Sequence, residues 1–225
     1  MSGLDGAKRA AAWRAAARIE SGAVLGLGSG STALYFVEAL AERCRSGLSV
    51  VGVPTSVATK ELAISLGLPL TDLESRPRLD LDVDGADEID PALNAIKGGG
   101  GAFLHEKIVA LASDRLVLIA DETKLVPRLG TTRGIPVEVV AFGWRGAADA
   151  IASLGAAWQI RGGDRPYVTE SGNFIIDVMP PTGDLFAFVD AVKQLTGVVE
   201  HGVFRHLAAE ALIGYADGSV RTLSP

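Results

Sequence analysis

Cysteine, long apolar runs and an excess of positive charge are all missing from this 225-residue chain. The single cysteine, Cys44, permits no internal disulfide and no multi-cysteine zinc site. It falls in an apolar-periodic stretch and reads as a small, buried or half-buried thiol. No apolar run approaches the roughly 18 residues of a membrane span. Lys and Arg number 21 against 27 Asp and Glu, a net charge of −6, so the overall basic field of a nucleic-acid binder is absent. Met1 to Glu20 has neither the continuous apolar core nor the cleavage signal of a secretory leader. Arg9, Arg14 and Arg18 in an alanine-rich setting suggest a transit peptide, but Asp5, Glu20 and the shortage of hydroxyl residues favour a plain surface helix. The expectation is a cytoplasmic protein that meets neither membrane nor nucleic acid.

What is present is an ordinary globular mixture, 48% apolar and 21% charged, with an excess of glycine, 27 residues in all. Glycine averages roughly 7% of a chain, and here it is about 12% with no collagen-like period. The length suits one large domain or two small ones and buries a core without staples. In the first half, helix-like and strand-like segments alternate. A helix over Asp5 to Ile19 precedes strand Ala23 to Leu27, and a helix over Thr32 to Arg45 precedes strand Val50 to Val53. Thr55 or Ser56 caps a helix that stops at Gly67. Leu79 to Asp84 alternates apolar and acidic residues as a strand, and helix Ala102 to Ala112 leads into the buried strand Leu116 to Ala120. Repeated βα units of this kind give an α/β fold, a Rossmann-like, mostly parallel sheet covered by helices. After Gly130 the order changes to strand Val137 to Phe142, helix Arg145 to Leu154, strands Ala156 to Ile160 and Asn173 to Val178, helix Asp184 to Leu195 and a strand near Val198. That order predicts a smaller inserted α+β module of the split βαβ, ferredoxin-like kind. The expected division is a catalytic domain from 1–130 plus about 201–225, with the small domain at about 131–200.

Three clusters carry candidate chemistry. Gly26 to Ala33 lies between a strand and a helix, where glycine amides and a helix N-terminus can receive an anion, with Ser29, Ser31 and Thr32 as further donors. The same residues satisfy a dinucleotide G-x-G-x-x-A pattern, but the next strand ends Val53-Pro54-Thr55-Ser56, without the carboxylate that would hold a ribose. A phosphate cradle is the better reading, and a structural glycine turn is the alternative. The second cluster, Asp82 to Asp90, holds five carboxylates. It fails the calcium-loop pattern, since Leu93 stands where a glutamate belongs. Either it is a solvated acidic strand end, or Asp84 and Asp87 form part of a site at the carboxyl end of a parallel strand. The third, Lys97-Gly98-Gly99-Gly100-Gly101, precedes a helix with Glu106 in its first turn. Four consecutive glycines suit a backbone that wraps closely around a ligand better than a linker inside a domain. A carboxylate base beside fixed positive donors is the minimum equipment for moving a proton next to a carbonyl.

At these clusters, in order along essentially the whole chain, the sequence resembles ribose-5-phosphate isomerase, type A. The matching stretches are Gly28 to Thr32, Asp84 to Glu88, Lys97 to Gly100 with Glu106-Lys107, Asp121 to Lys124, and Gly172 to Asp177. The resemblance implies interconversion of ribose 5-phosphate and ribulose 5-phosphate through an enediolate, with no metal and no cofactor. It makes Glu106 the general base, Asp84 an aid to ring opening and Asp87 an orienter of sugar hydroxyls. Lys97 with the amides of Gly98, Gly99 and Gly100 would stabilise the oxyanion. Ser29, Gly30, Ser31, Thr32, Gly85, Ala86 and Lys124 would bind the sugar phosphate, with Lys8 adding charge nearby. The family also implies a homodimer or homotetramer. Two departures stand out: Gly101 where the family often has alanine, and His105 in place of the usual arginine. His201 and His206, five apart, are poorly spaced for one metal and carry no assigned chemistry. The competing readings are a sugar-phosphate sensor without catalysis and a nicotinamide-dependent dehydrogenase.

Overall fold

The computed structural model describes residues 3–225. Helix α1 (Gly3–Ala16) is followed by β1 (Val24–Leu27), α2 (Ser31–Arg45), β2 (Val51–Pro54), α3 (Val57–Ser65) and β3 (Leu81–Asp84). Two short strands, β4 (Glu88–Ile89) and β5 (Ala95–Ile96), precede α4 (Phe103–Ala112) and β6 (Leu116–Asp121). Then come β7 (Ile135–Val139), α5 (Trp144–Ser153), β8 (Ala157–Ile160), β9 (Phe174–Met179), α6 (Leu185–Lys193), β10 (Val198–His201), β11 (Val203–Phe204), β12 (Ala208–Gly214) and β13 (Val220–Leu223).

The main sheet has the order β13-β12-β6-β3-β1-β2. Every neighbouring pair is parallel except the β12–β13 edge hairpin. A second sheet, β10-β7-β9-β8, is antiparallel throughout and has the strand order of a split βαβ module. The expected α/β class is therefore borne out. A third small sheet, β11-β5-β4, was not visible in the sequence; its two-residue strands are too short to show a period.

Side-chain alternation along β3 positions the site. Leu81 and Val83 join the core beneath α2, whereas Asp82 and Asp84 point to the opposite face, under α4. Both aspartates are 0% exposed, so the solvated acidic strand end does not exist. Glycines on β1 make room for them. A Cβ at Gly26 would lie 2.5 Å from Asp82 Oδ1 and 2.6 Å from Val109, and one at Gly28 only 2.2 Å from Asp84 Oδ1. Part of the first glycine cluster thus serves carboxylate packing rather than an anion.

Two other expectations change. Helix α1 is not a plain surface helix. Ala7, Ala11, Ala12, Ala15 and Ala16 are buried against β6 and β12, and their short side chains allow the close approach. Strand β7 stops at Val139, leaving Phe142 94% exposed beyond it. The stretch from Ala209 to Val220 returns to the main sheet, in the β12–β13 hairpin. Ser56 does cap α3, accepting from the Thr59 amide at 3.2 Å, a contact worth about 1 kcal/mol. Cys44 is half-buried, and burial raises its thiol pKa. Among the described residues no helix is long and apolar enough to cross a membrane.

Candidate active site

The carboxyl ends of β1, β2 and β3 open into a cavity of about 410 Å³. Ser29, Gly30, Ser31, Thr32, Gly85, Ala86, Asp87, Lys97, Gly98, Gly99, Gly100, Glu106 and Lys124 all line it. Asp84 does not; it lies directly beneath. Lys8 stands at the rim and donates to Ser31 Oγ at 3.1 Å. Lys124 arrives by a local device: the Asp121 side chain at the end of β6 accepts from the Thr123 amide at 3.0 Å and caps the short 3₁₀ turn Glu122–Lys124.

Beneath the cavity three carboxyls surround one ammonium. Lys97 Nζ is 2.9 Å from Asp84 Oδ2 and 3.2 Å from Glu106 Oε2, and donates to the Gly85 carbonyl at 2.6 Å. The other oxygen of Asp84, Oδ1, accepts from the Ser29 and Gly85 amides at 3.0 and 2.6 Å. Asp82, one step down β3, has no hydrogen-bond partner for either oxygen. Burying more negative than positive charge favours proton uptake. Burial pushes Glu106 up to about 8 against the opposing pull of Lys97. Burial also raises Asp84, and raises Asp82 well above the usual carboxylate range, with the Asp84 charge adding to the shift at Asp82. Lys97 is raised: Asp84 and Glu106 outweigh a burial that works against its charge. The arrangement provides a carboxyl able to exchange a proton near neutral pH beside a permanently charged donor.

At the other end of the cavity, Gly30 stands at the N-terminus of α2 with no side chain capping that helix. Its first amides therefore remain available to an anion. The Ser29 hydroxyl is differently occupied. It lies 2.7 Å from both Thr55 Oγ1 and Ser56 Oγ, tying the β1–α2 loop to the β2–α3 loop. Where a dinucleotide site would place a carboxylate, there are hydroxyls. Among the described residues no three His, Cys, Asp or Glu side chains are placed to hold one metal ion.

Sequence reasoning missed the far wall. Tyr167 and Glu170, from the loop between β8 and β9, line the cavity, with Tyr167 Oη 3.2 Å from the Gly100 carbonyl. Glu170 accepts from the Val57 amide at the start of α3, 2.8 Å away, and so joins the two sheets across the cavity mouth. No local pattern signals a contact between segments more than a hundred residues apart. His105 faces this loop, 2.9 Å from Ser171 Oγ and 3.7 Å from Glu170, and does not line the cavity. His201 is buried beside Lys107; burial, with that ammonium, lowers it to about 4.

Comparison with known proteins agrees with this geometry. Residues 51–218 match the family model for ribose 5-phosphate isomerase A (phosphoriboisomerase A). A ribose-5-phosphate isomerase A from Nitrobacter hamburgensis is 50% identical over 224 residues, covering 96% of each chain. The solved ribose 5-phosphate isomerase of Plasmodium falciparum superposes with a TM-score of 0.94 at 38% identity, over 99% of both chains. A D-ribose-5-phosphate isomerase solved in complex with phospho-erythronic acid also gives 0.94, at 36% identity over 99% of both chains. The resemblance read from the sequence is borne out, and the chain belongs to the ribose 5-phosphate isomerase A family.

Proposed function

We propose that this protein interconverts ribose 5-phosphate and ribulose 5-phosphate, with Glu106 carrying a proton between the second and first carbons. The observation that carries the reading is the buried Glu106, shifted to about 8, on the cavity wall and 3.2 Å from Lys97. The sugar phosphate enters with its phosphate toward the uncapped start of α2, where Ser31, Thr32 and Lys124 add donors. In the open-chain aldose, the Glu106 carboxylate takes the proton from carbon 2, and the electron pair moves to the carbonyl oxygen. Lys97 and the Gly98 and Gly100 amides stabilise the resulting enediolate; the Gly99 amide, expected to join them, is instead held by Asp87 Oδ2 at 2.7 Å. Glu106 then returns the proton to carbon 1 while a proton moves from the oxygen on carbon 2 to that on carbon 1, giving the ketose.

Asp87 presents an oxygen at the cavity wall to orient sugar hydroxyls. Asp84, covered by the Ser29 loop and by Lys97, acts in ring opening through the Lys97 ammonium that it holds. Residues 1–130 with 201–225 form the catalytic domain in this account, residues 131–200 the smaller one, and the assembly is a homodimer or homotetramer. The test is a coupled assay on the purified protein. Ribose 5-phosphate should yield ribulose 5-phosphate without added metal or nucleotide and undiminished by EDTA. Failure to form the ketose, or a thermal shift with NAD but none with ribose 5-phosphate, would overturn the reading.

A further inference from the structure

Behind the glycine loop, on the side away from the cavity, sits a guanidinium that the proposed chemistry does not use. Arg161, the residue after β8, donates through Nε and Nη2 to the two oxygens of Asp177 on β9, at 3.0 and 2.5 Å. Such a fork-on-fork pair fixes the plane of the guanidinium. Its remaining nitrogen, Nη1, is thereby aimed at the loop, 2.7 Å from the Gly98 carbonyl and 3.4 Å from that of Gly99. The same peptide unit is gripped at its other edge, where the Gly99 amide donates to Asp87 Oδ2 at 2.7 Å. Gly98 reaches this conformation at φ +110°, and a Cβ there would strike Phe103 and Pro136 at 2.5 and 2.8 Å.

The consequence lies one peptide further on. A trans peptide is planar, with its carbonyl and amide on opposite edges. Turning the Gly99 carbonyl toward Arg161 therefore turns the Gly100 amide away from it. Gly100 borders the cavity whereas Arg161 does not, and the Gly100 amide has no acceptor among the described residues. We propose that Arg161, held by Asp177, is a positioning residue for the reaction, fixing the glycine loop so that the Gly100 amide faces the developing oxyanion. This rests on the isomerase reading above.

Arg161→Ala and Arg161→Lys, assayed beside the unmutated protein, test it. Turnover of Arg161→Ala should fall about 10- to 100-fold, since displacing an oxyanion donor costs rate rather than ground-state binding. KM should stay within about threefold. Arg161→Lys should remain impaired, because an ammonium cannot hold both Asp177 oxygens and still reach the carbonyl. Added guanidinium should restore part of the Arg161→Ala rate and leave the unmutated protein unchanged. Turnover within about twofold of the unmutated protein, or a loss confined to KM, overturns the proposal. If the alanine variant does not fold, the lysine variant is judged on the same readouts. An unmutated protein without isomerase activity would instead overturn the reading of the whole site.

Discussion

Two buried lysines lie over the same aromatic ring, yet the regions around them behave in opposite ways. Lys97 and Lys107 stand 5.5 and 5.0 Å from the centre of Phe204. Around Lys97 the carboxyls outnumber the cations: Asp82, Asp84 and Glu106 share one ammonium. Around Lys107 the cations outnumber the carboxylates, because Glu200 is 3.0 Å from Lys107 and 2.8 Å from Lys193. Burial opposes ionisation at both glutamates. It prevails at Glu106, which rises to about 8. At Glu200 the two lysines and the His201 amide outweigh it, and the pKa falls to about 2. Charge stoichiometry in a low-dielectric site, more than burial alone, decides whether a glutamate exchanges protons or stays ionised. The first arrangement suits a base. The second is a strut that ties α4, and hence Glu106, to β10.

The sharpest way to break the contrast is to neutralise each glutamate. Glu106→Gln should lower turnover on the order of 10²- to 10⁴-fold while sugar-phosphate affinity is largely kept, measured by coupled assay and by equilibrium titration. Lys97→Met should come next, costing roughly 10²- to 10³-fold in turnover as the oxyanion loses its charged donor. Glu200→Gln should act on stability instead. Leaving Lys107 without its carboxylate should cost roughly 3 kcal/mol, a fall of about 6–12 °C in melting temperature, with turnover within a few-fold of normal. A large loss of rate without a loss of stability there would erase the distinction between base and strut.

The two regions also differ in pH dependence. Glu106 has a folded pKa above its unfolded value of 4.5, so its contribution to stability is full below pH 4.5 and is lost as pH rises through about 8. Asp82 and Asp84 shift in the same direction. Glu200 is lowered, so its contribution is present above 4.5 and is lost only as pH falls toward 2. Between pH 5 and 8.5 Glu106, Asp82 and Asp84 outweigh His201, whose lowered pKa adds stability only as pH rises to about 6.5, and the melting temperature of the ligand-free protein should decline. The smallest expected effect belongs to Asp82→Asn, which should make that decline shallower. An unchanged slope would show that Asp82 does not share the proton load of the cluster.

Much of this was legible in local pattern. The βα alternation gave the main sheet, and the order of elements after Gly130 gave the second. Glu106 was placed correctly beside its loop because helix phase from the glycine run is a local property. What stayed hidden depends on distant packing. Nothing in the sequence around Asp82 shows that Val109 and the rest of α4 cover it. Tyr167 and Glu170 reach the cavity, and Arg161 the back of the glycine loop, from a segment of the other sheet. The excess of glycine also proved to have two uses: Gly26 and Gly28 yield space to buried carboxylates, while Gly98 to Gly100 shape the cavity wall.

The central claim is that Glu106 itself moves the proton, and isotope exchange in deuterium oxide tests it most directly. The unmutated protein should incorporate solvent deuterium at carbon 1 of ribulose 5-phosphate, observed by proton NMR. Glu106→Gln should bind the sugar phosphate and show no enzyme-dependent exchange. Exchange by Glu106→Gln at the unmutated rate would contradict the account and place the base elsewhere in the cavity.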